Sequence, residues 1–501
     1  MKIFSAAQVH AWDAFTIENE PIASTELMNR AARVFTEWFT GLYQDVSKPV
    51  VIFAGTGNNG GDGLAIARYL HQLFYEAKVL VCAFDDKRSA DFETQLEQLP
   101  AHQGVSVQWL SDPDGFPDIP PRAIVIDALF GSGLNRPLSG KLAALVDLLN
   151  ALPNEVVSVD IPSGMFADQS SAAYPVVQAE RTFSFEAPKR AFFYPENAHR
   201  VGEWNFGSIG LHPDYYSEQP TCYQYLTHEE AKKLWKPRQK FGHKGTYGHA
   251  LLIGGSYGKM GAAVLSAKSC LRAGAGLLSV CIPGVGYDIM QTSVPEAMAI
   301  CDAHEKKWTQ TPDIQPYNAI GIGPGLGTAS ETASALQQLI HNATVPLVLD
   351  ADALNLLARH PEWWPAIPPN SILTPHPGEF QRLFGSSTND FEKNDQQMEW
   401  ARKHQVFIVL KGAHTAIATP DGQCWFNSSG NPGMATGGSG DVLTGILTGL
   451  LAQGYSPLNT CLLGVYLHGL AGDMAASELG QEALIASDLI EHLPVAWKRL
   501  Q

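Results

Sequence analysis

Short apolar runs recur along the chain, and most of them stop at glycine or aspartate. The runs at 50–54, 78–84, 123–126, 156–159, 182–185, 250–253, 319–323, 347–349, 372–374 and 406–410 are rich in Val, Ile and Leu and show little polar alternation. Continuous hydrophobicity is what a strand buried on both faces requires, as in parallel sheets covered by helices. Stretches of helical period lie between these runs. Ser5 and Gln8 fit a capping box opening a helix with Val9, Trp12 and Phe15 on one face, and further helices are expected over 27–39, 64–73 and 442–447. Strands alternating with helices predict an α/β protein with parallel, doubly wound sheets. Residues 210–220 carry turn residues and no period, and Thr227 to Glu230 offers a new capping box. The expected domains are therefore 1–218 and 224–501, each a three-layer α/β/α unit.

At 501 residues the chain is too long for one ordinary core, which agrees with that division. The net charge of -16 argues against a nucleic-acid partner or an anionic membrane surface, so any phosphate must be held locally. Cys82, Cys222, Cys270, Cys281, Cys301, Cys424 and Cys461 show no C-x-x-C spacing, so a reducing cytoplasm is expected rather than zinc or a disulfide framework. Neither a signal core nor a bilayer-spanning stretch is visible in the sequence. The expected assembly is a homo-oligomer.

The strand ends carry the chemistry. After the run at 50–54, Gly55 to Gly63 matches G-x-G-x-x-G before a helix, and the next strand ends in Asp85 and Asp86. A Rossmann-like dinucleotide site is one reading. Asp62 opposes it, because a carboxylate would stand where a pyrophosphate should sit. Asn58 and Asn59 suit a polar ligand or a weakly hydrated cation. Asp127 and Asp160 end two later strands, the second followed by Ile161, Pro162 and Ser163. Ligands gather at the carboxyl ends of such strands, so Asn59, Asp127, Asp160 and Ser163 are expected to meet. Lys189 follows another strand and either lines the pocket or is solvated.

In the second half, Ala435 to Asp441 precedes the apolar helix, where glycines and free N–H groups form an anion cradle. Asp441 there would repel a phosphate unless it caps the helix or takes a proton from an attacking hydroxyl. Gly254 to Ala262 is one residue short of a Walker loop, and Met260 stands in place of the magnesium-binding hydroxyl. Asp350 and Asp352 either face the site or serve the following helix, Asp352 as its cap. His376 is held between prolines, with Glu379 beyond it and Lys411 to Thr415 ending another strand.

The N-N-G-G-D-G, D-A-L-F-G-S-G-L-N-R-P and D-I-P-S-G segments resemble the NAD(P)H-hydrate epimerases over residues 1 to about 215. From Tyr247 onward, T-P-H-P-G-E, K-G-A-H-T and G-G-S-G-D resemble the ribokinase-like, nucleotide-dependent NAD(P)H-hydrate dehydratases. The resemblance implies an N-terminal Rossmann-like and a C-terminal ribokinase-like domain acting on NADHX and NADPHX. It implies substrate contacts by Asn58, Asn59, Gly60, Gly61, Asp62, Gly131, Ser132, Gly133, Leu134, Asn135, Arg136, Pro137 and Asp160, with Asp160 as acid/base and Asn59, Asp127 and Ser163 binding K+. In the second half it implies substrate contacts by Ala262, Gly325, His376 and Asp441, with Asp441 as base. Lys411, Gly412, Ala413, His414, Thr415 and Gly440 would hold ADP, or ATP, and Glu379 would stand near its Mg2+. Two other readings compete: a nicotinamide-dependent dehydrogenase fused to a small-molecule kinase, and a nucleotide sensor without turnover.

Overall fold

The computed structural model describes residues 1–84, 87–99 and 104–501, so Asp85 and Asp86 lie outside the described residues. The chain forms two compact units, one of residues 2–221 with 389–391, the other of residue 1 with 222–388 and 392–501.

The first unit is built on a seven-stranded sheet in the order Ser106–Leu110, Ala77–Cys82, Val50–Ala54, Ile124–Ala128, Val156–Val159, Arg181–Phe185, Glu203–Gly207, with every pairing parallel. Both faces are covered. Val50, Ile52 and Ala54 pack with Phe35, Leu64 and Phe92, whereas Val51 and Phe53 pack with Leu145 and Leu149 on the other side. Each such side chain contributes roughly 1.5–3 kcal/mol when fully buried, which is why these strands carry no polar alternation.

The helix after Val50–Ala54 spans Asn58–Gln72, with Gly57 at its N-cap, so it starts well before the expected residue 64. The N-N-G-G-D-G segment is thus its first turns rather than a loop. Two glycines make this possible. A Cβ on Gly60 would lie 1.8 Å from the Gly55 carbonyl oxygen, and one on Gly63 would lie 2.8 Å from the Ala128 Cβ. The helix therefore begins hard against two strands. The expected helix at 27–39 is Ser24–Leu42, and the expected strand at 78–84 is Ala77–Cys82.

In the second unit the strand order is Tyr223–Leu226, Cys424–Asn427, Ala416–Ala418, Phe407–Leu410, Ile372–Leu373, Leu347–Leu349, Ala319–Ile322, His249–Ile253, Leu277–Ile282, Met298–Cys301. Pairings are parallel except the two that flank Ala416–Ala418. Alternate residues of His249–Ile253 enter separate cores, Ala250 and Leu252 in one, Leu251 and Ile253 in the other, which again gives three layers.

Helices Met260–Ala273 and Ser439–Ala452 lie together on one face of this sheet. Their closeness depends on glycine. A Cβ on Gly445 would stand 2.0 Å from Ser269 Oγ and 2.1 Å from the Ser266 carbonyl oxygen, and one on Gly449 would stand 2.6 Å from the Cys270 carbonyl oxygen. The Ser266 hydroxyl also donates to the Asp441 carbonyl at 2.8 Å, which ties the two helices near the start of the second. Gly445→Ala should therefore destabilise the second unit by about 1–3 kcal/mol in chemical denaturation. At an open helical site the same change would instead stabilise by up to about 1 kcal/mol, so the sign of the measured change tests the packing.

Candidate active sites

In the first unit the chain order reverses between Val50–Ala54 and Ile124–Ala128, and a crevice forms beyond such a switch point. A cavity of about 570 Å³ lies there, lined by Asn58, Asn59, Asp62, Gly131 to Arg136 and Asp160, with Asp13 and neighbours from helix Ala6–Asn19. Gly60, Gly61 and Pro137 are not among the lining residues. Gly61 packs under Met28, where a Cβ would come within 2.8 Å of the sulfur.

Asp160 follows strand Val156–Val159 in a left-handed conformation, φ 66°, with its N–H donating to the Phe183 carbonyl at 2.8 Å. Its carboxylate meets Lys189 Nζ at 2.8 Å and accepts the Ser132 N–H at 3.2 Å. Burial opposes ionisation of Asp160, yet the Lys189 charge and these hydrogen bonds outweigh it and hold the carboxyl below its usual range. Lys189 is only 2% exposed and also donates to the carbonyls of Phe185 and Ala187, at 3.2 and 3.3 Å. The lysine is thus neither solvated nor among the residues that line the cavity; it is buried against Asp160.

Asp127 is fully buried, and neither it nor Ser163 is among the residues that line the cavity. It accepts from the Ser163 hydroxyl at 2.5 Å, the Ser163 N–H at 2.8 Å, the Ser158 hydroxyl at 2.8 Å and the Leu129 N–H at 3.3 Å. Burial still pushes its pKa up. Asn59 donates weakly to the Val159 carbonyl at 3.5 Å, and its buried Oδ1 has no partner among the described residues. A Cβ on Gly131 would stand 3.5 Å from both Asn59 and Asp160 Oδ2, so these three share one wall. Asp13, Asp62, Asp91 and Glu186 also line the cavity. Burial, then the Asp160 charge, pushes Asp62 well above the carboxylate range and raises Asp13 to about 7.

In the second unit the switch point lies between His249–Ile253 and Ala319–Ile322. The loops beyond these strands clasp: Ser256 Oγ donates to the Gly325 carbonyl at 2.7 Å, and a Cβ on Gly325 (φ 63°) would meet the Lys259 carbonyl at 2.6 Å and the Ala262 Cβ at 3.1 Å. Asp352 lies within helix Ala351–Arg359, so it is not the expected cap. It accepts the Gly327 N–H at 2.8 Å and pairs with Lys259 at 3.4 Å.

Helix Ser439–Ala452 starts earlier than expected, with left-handed Gly438 at its N-cap. Asp441 is in its first turn, and its carboxylate has no hydrogen bond or ion pair among the described residues, so the capping role does not fall to it. Burial, then the Asp350 charge, raises Asp441 to about 7 against the opposing pull of Lys411. Lys411 Nζ lies 2.8 Å from Asp350 Oδ1 and 3.9 Å from Glu379 Oε2, and 3.3 Å from where a Gly440 Cβ would be. Asp350 also accepts the Thr444 hydroxyl at 2.7 Å. Lys411, Asp350, Glu379, Gly440 and Asp441 thus meet.

His376 caps helix Pro377–Phe384, its Nδ1 accepting the Gly378 N–H at 3.0 Å and its Nε2 lying 3.5 Å from Glu379. Gly412 and Ala413 are exposed, whereas Thr415 turns back to the Gly412 carbonyl at 3.1 Å and His414 contacts the Asn427 carbonyl at 3.4 Å. Of that segment, Lys411 reaches the charged cluster. His468 escaped sequence reading: half-buried in the middle of helix Pro457–Leu479, it contacts the Ser439 carbonyl at 3.0 Å and so pins the helix start that carries Asp441. Burial lowers its pKa to about 4, so the ring is neutral.

Two α/β units, each with acids and a lysine at the carboxyl ends of its strands, define a bidomain enzyme acting on small molecules. Residues 250–495 match the family described as NAD(P)H-hydrate dehydratase, and residues 24–191 the family described as YjeF-related protein N-terminus. The whole chain is 36% identical to the bifunctional NAD(P)H-hydrate repair enzyme of Moorella thermoacetica, covering 97% of it. It is 32% identical to that of Escherichia coli, over 93% of this chain and 88% of the relative. A solved structure, the ADP/ATP-dependent NAD(P)H-hydrate dehydratase of Bacillus subtilis co-crystallised with ATP and Mg2+, is 36% identical with a TM-score of 0.51, over 56% of this chain and 99% of that one. The chain belongs to the bifunctional NAD(P)H-hydrate repair enzyme family.

Lys189→Met should strand a buried Asp160 charge and destabilise the first unit by about 3–5 kcal/mol at neutral pH. Because the folded-state pKa of Asp160 is depressed, its ion-pair stabilisation is full above the ordinary carboxylate range and is lost as pH falls through the folded value. The gap between parent and variant should therefore narrow on acidification. Equal destabilisation from neutral to acidic pH would contradict the pairing.

Proposed function

We propose that the chain repairs hydrated NADH and NADPH, with an epimerase site in residues 1–218 and a nucleotide-dependent dehydratase site in residues 224–501. NADHX and NADPHX carry a hydroxyl on C6 of the reduced nicotinamide ring. The first site interconverts the R and S epimers. The second dehydrates the S form using ADP, or ATP, and with ADP it releases AMP and phosphate. The names of the relatives support repair of NAD(P)H hydrate, and the family matched by residues 250–495 supports the dehydration step. The observation that carries the reading is Asp441, an unpartnered carboxylate in the first turn of a helix with Lys411 and Gly440 beside it.

Hydroxide is a poor leaving group, whereas phosphate is a good one. Transfer of the terminal phosphoryl group to the C6 hydroxyl therefore allows the ring nitrogen to expel it by electron donation. Asp441 accepts the hydroxyl proton, and the N–H groups of Gly438 to Gly440 stabilise the transferring group. A pKa of about 7 leaves Asp441 half-ionised at neutral pH and basic enough to take the proton. In the first site, Asp160 works as acid/base while Lys189 fixes its charge and direction. Asp62, in the first turns of helix Asn58–Gln72, stands where a dehydrogenase would seat a pyrophosphate.

Potassium fits the first site. The unpartnered Asn59 Oδ1 and the buried Asp127 beside Ser163 offer oxygen ligands with one formal charge, which suits a monovalent ion better than magnesium. Bound there, it would supply positive charge close to Asp160. Magnesium fits differently: no cage of three or more His, Cys, Asp or Glu side chains occurs among the described residues. Glu379 would hold it together with the nucleotide phosphates, whose charge it would offset. All seven cysteines, each among the described residues, are free, which supports a reducing cytoplasmic setting.

Mixing purified protein with hydrated NADH and ADP should restore NADH absorbance. Asp441→Asn should lose about 10²- to 10⁴-fold in phosphate release while ADP affinity persists or improves and epimerisation is unchanged. Parent dehydration should rise with pH and level off above about 7, because the carboxylate is the proton acceptor. A variant within about threefold of the parent, well short of that range, would remove Asp441 from the reaction. For the cation, KCl should raise the melting temperature of the parent's first unit relative to choline chloride. Asp127→Ala and the milder Asn59→Ala should lose that increment with dehydration intact; an undiminished increment in both would dismiss the site.

A further inference from the structure

Epimerisation at C6 has a requirement that Asp160 alone does not meet. When it proceeds by loss and return of the hydroxyl, which departs from one face of the ring and comes back on the other, proton transfer is needed on both faces. The cavity supplies groups from different walls. Asp160 ends a strand, whereas Asp13 comes from helix Ala6–Asn19, whose residues Val9, His10, Asp13, Ala14 and Ile17 line the cavity while Trp12 and Thr16 turn into the core. Trp12 donates to the His212 carbonyl at 2.8 Å, and the His212 N–H donates to Thr16 Oγ1 at 2.9 Å, which fixes the helix rotation that presents Asp13. Asp13 itself has no hydrogen bond or ion pair among the described residues, so nothing structural occupies its carboxyl.

We propose that Asp13 is a second catalytic residue of the epimerase site, the proton donor that complements Asp160. The inference rests on the epimerase reading. In one direction the Asp13 carboxyl gives its proton to the C6 hydroxyl, and the C6–O bond breaks with its electron pair leaving on water. The lone pair of N1 forms the N1=C6 double bond. Water then adds to the other face, the π pair returns to N1, and Asp160 takes the proton that the water releases. No electrons are gained or lost overall, and the two carboxyl groups have exchanged protonation states, so the reverse passage or exchange with solvent resets them.

Two carboxyl groups whose surroundings drive their pKa values apart are how a site obtains an acid and a base from one residue type. Burial, then the Asp160 charge, raises Asp13 to about 7 against Lys189, with Glu186 adding to the rise. Asp160 is held low by Lys189 despite its burial. Asp62 and Arg136 also line the cavity, and His10 lies on the same helix as Asp13.

The test uses the full chain without nucleotide, so that dehydration is silent, and follows the approach of pure S-form NADHX to the epimer mixture. Asp13→Asn should lose about 10²- to 10⁴-fold in kcat with KM little changed, and should lose the limb of the pH profile near 7. Asp13→Glu should recover part of the rate with that limb. Asp13→Asn at a third or more of the parent rate, or a loss confined to KM, would overturn the role. A parent that does not interconvert the epimers would overturn the epimerase reading and this inference with it, whereas an active parent with an equally active variant would overturn this inference alone.

Discussion

Parallel pairing is the constraint from which both sites follow. It points the carboxyl ends of neighbouring strands in one direction, so whatever residue ends each strand is delivered to a common edge. Asp160 and Lys189 in the first unit, and separately Asp350 and Lys411 in the second, are brought together by strand order, although each pair is apart in sequence. The chemistry needs no special loop to reach across the sheet. It needs only that the chain reverse its winding once, which opens a crevice between strands that would otherwise be closed over by a connection.

Much of this was legible in the sequence. Apolar runs without alternation gave the buried strands, and the polar residues that end them gave Asp127, Asp160 and Lys411 as candidates. Helix starts were harder to read. The helices that begin at Asn58 and Ser439 open with glycine, serine, asparagine and aspartate, residues that propensity assigns to loops, and tertiary packing overrides that preference. Gly60, Gly63 and Gly445 look like flexible punctuation, yet each sits where a methyl group would strike a neighbour. Asp13 and His468 lie inside helices with no strand end beside them. Lys189 stood at the right strand end, but a lysine there has no signature that separates buried from solvated.

The two units handle acidity in opposite ways. Around Asp160 a buried lysine holds the carboxylate ionised, and the neighbouring acids Asp13 and Asp62 are pushed towards the neutral form. Around Asp441 the lysine is already engaged by Asp350, so the carboxylate at the helix start is left to shift upwards. One lysine among several acids thus produces an ionised acid in one place and a half-ionised one in the other. The difference is which acid the lysine touches.

The left-handed backbone at Asp160 decides more than local shape. Most side chains resist that conformation, and aspartate and asparagine tolerate it because their short polar groups bond locally. Glutamate offers the same acid on a longer arm, which would carry the charge past Lys189 and the Ser132 N–H. The choice of aspartate over glutamate is therefore set by where the main chain turns relative to Lys189 before any substrate is considered, and the reach of the acid is inherited from the fold.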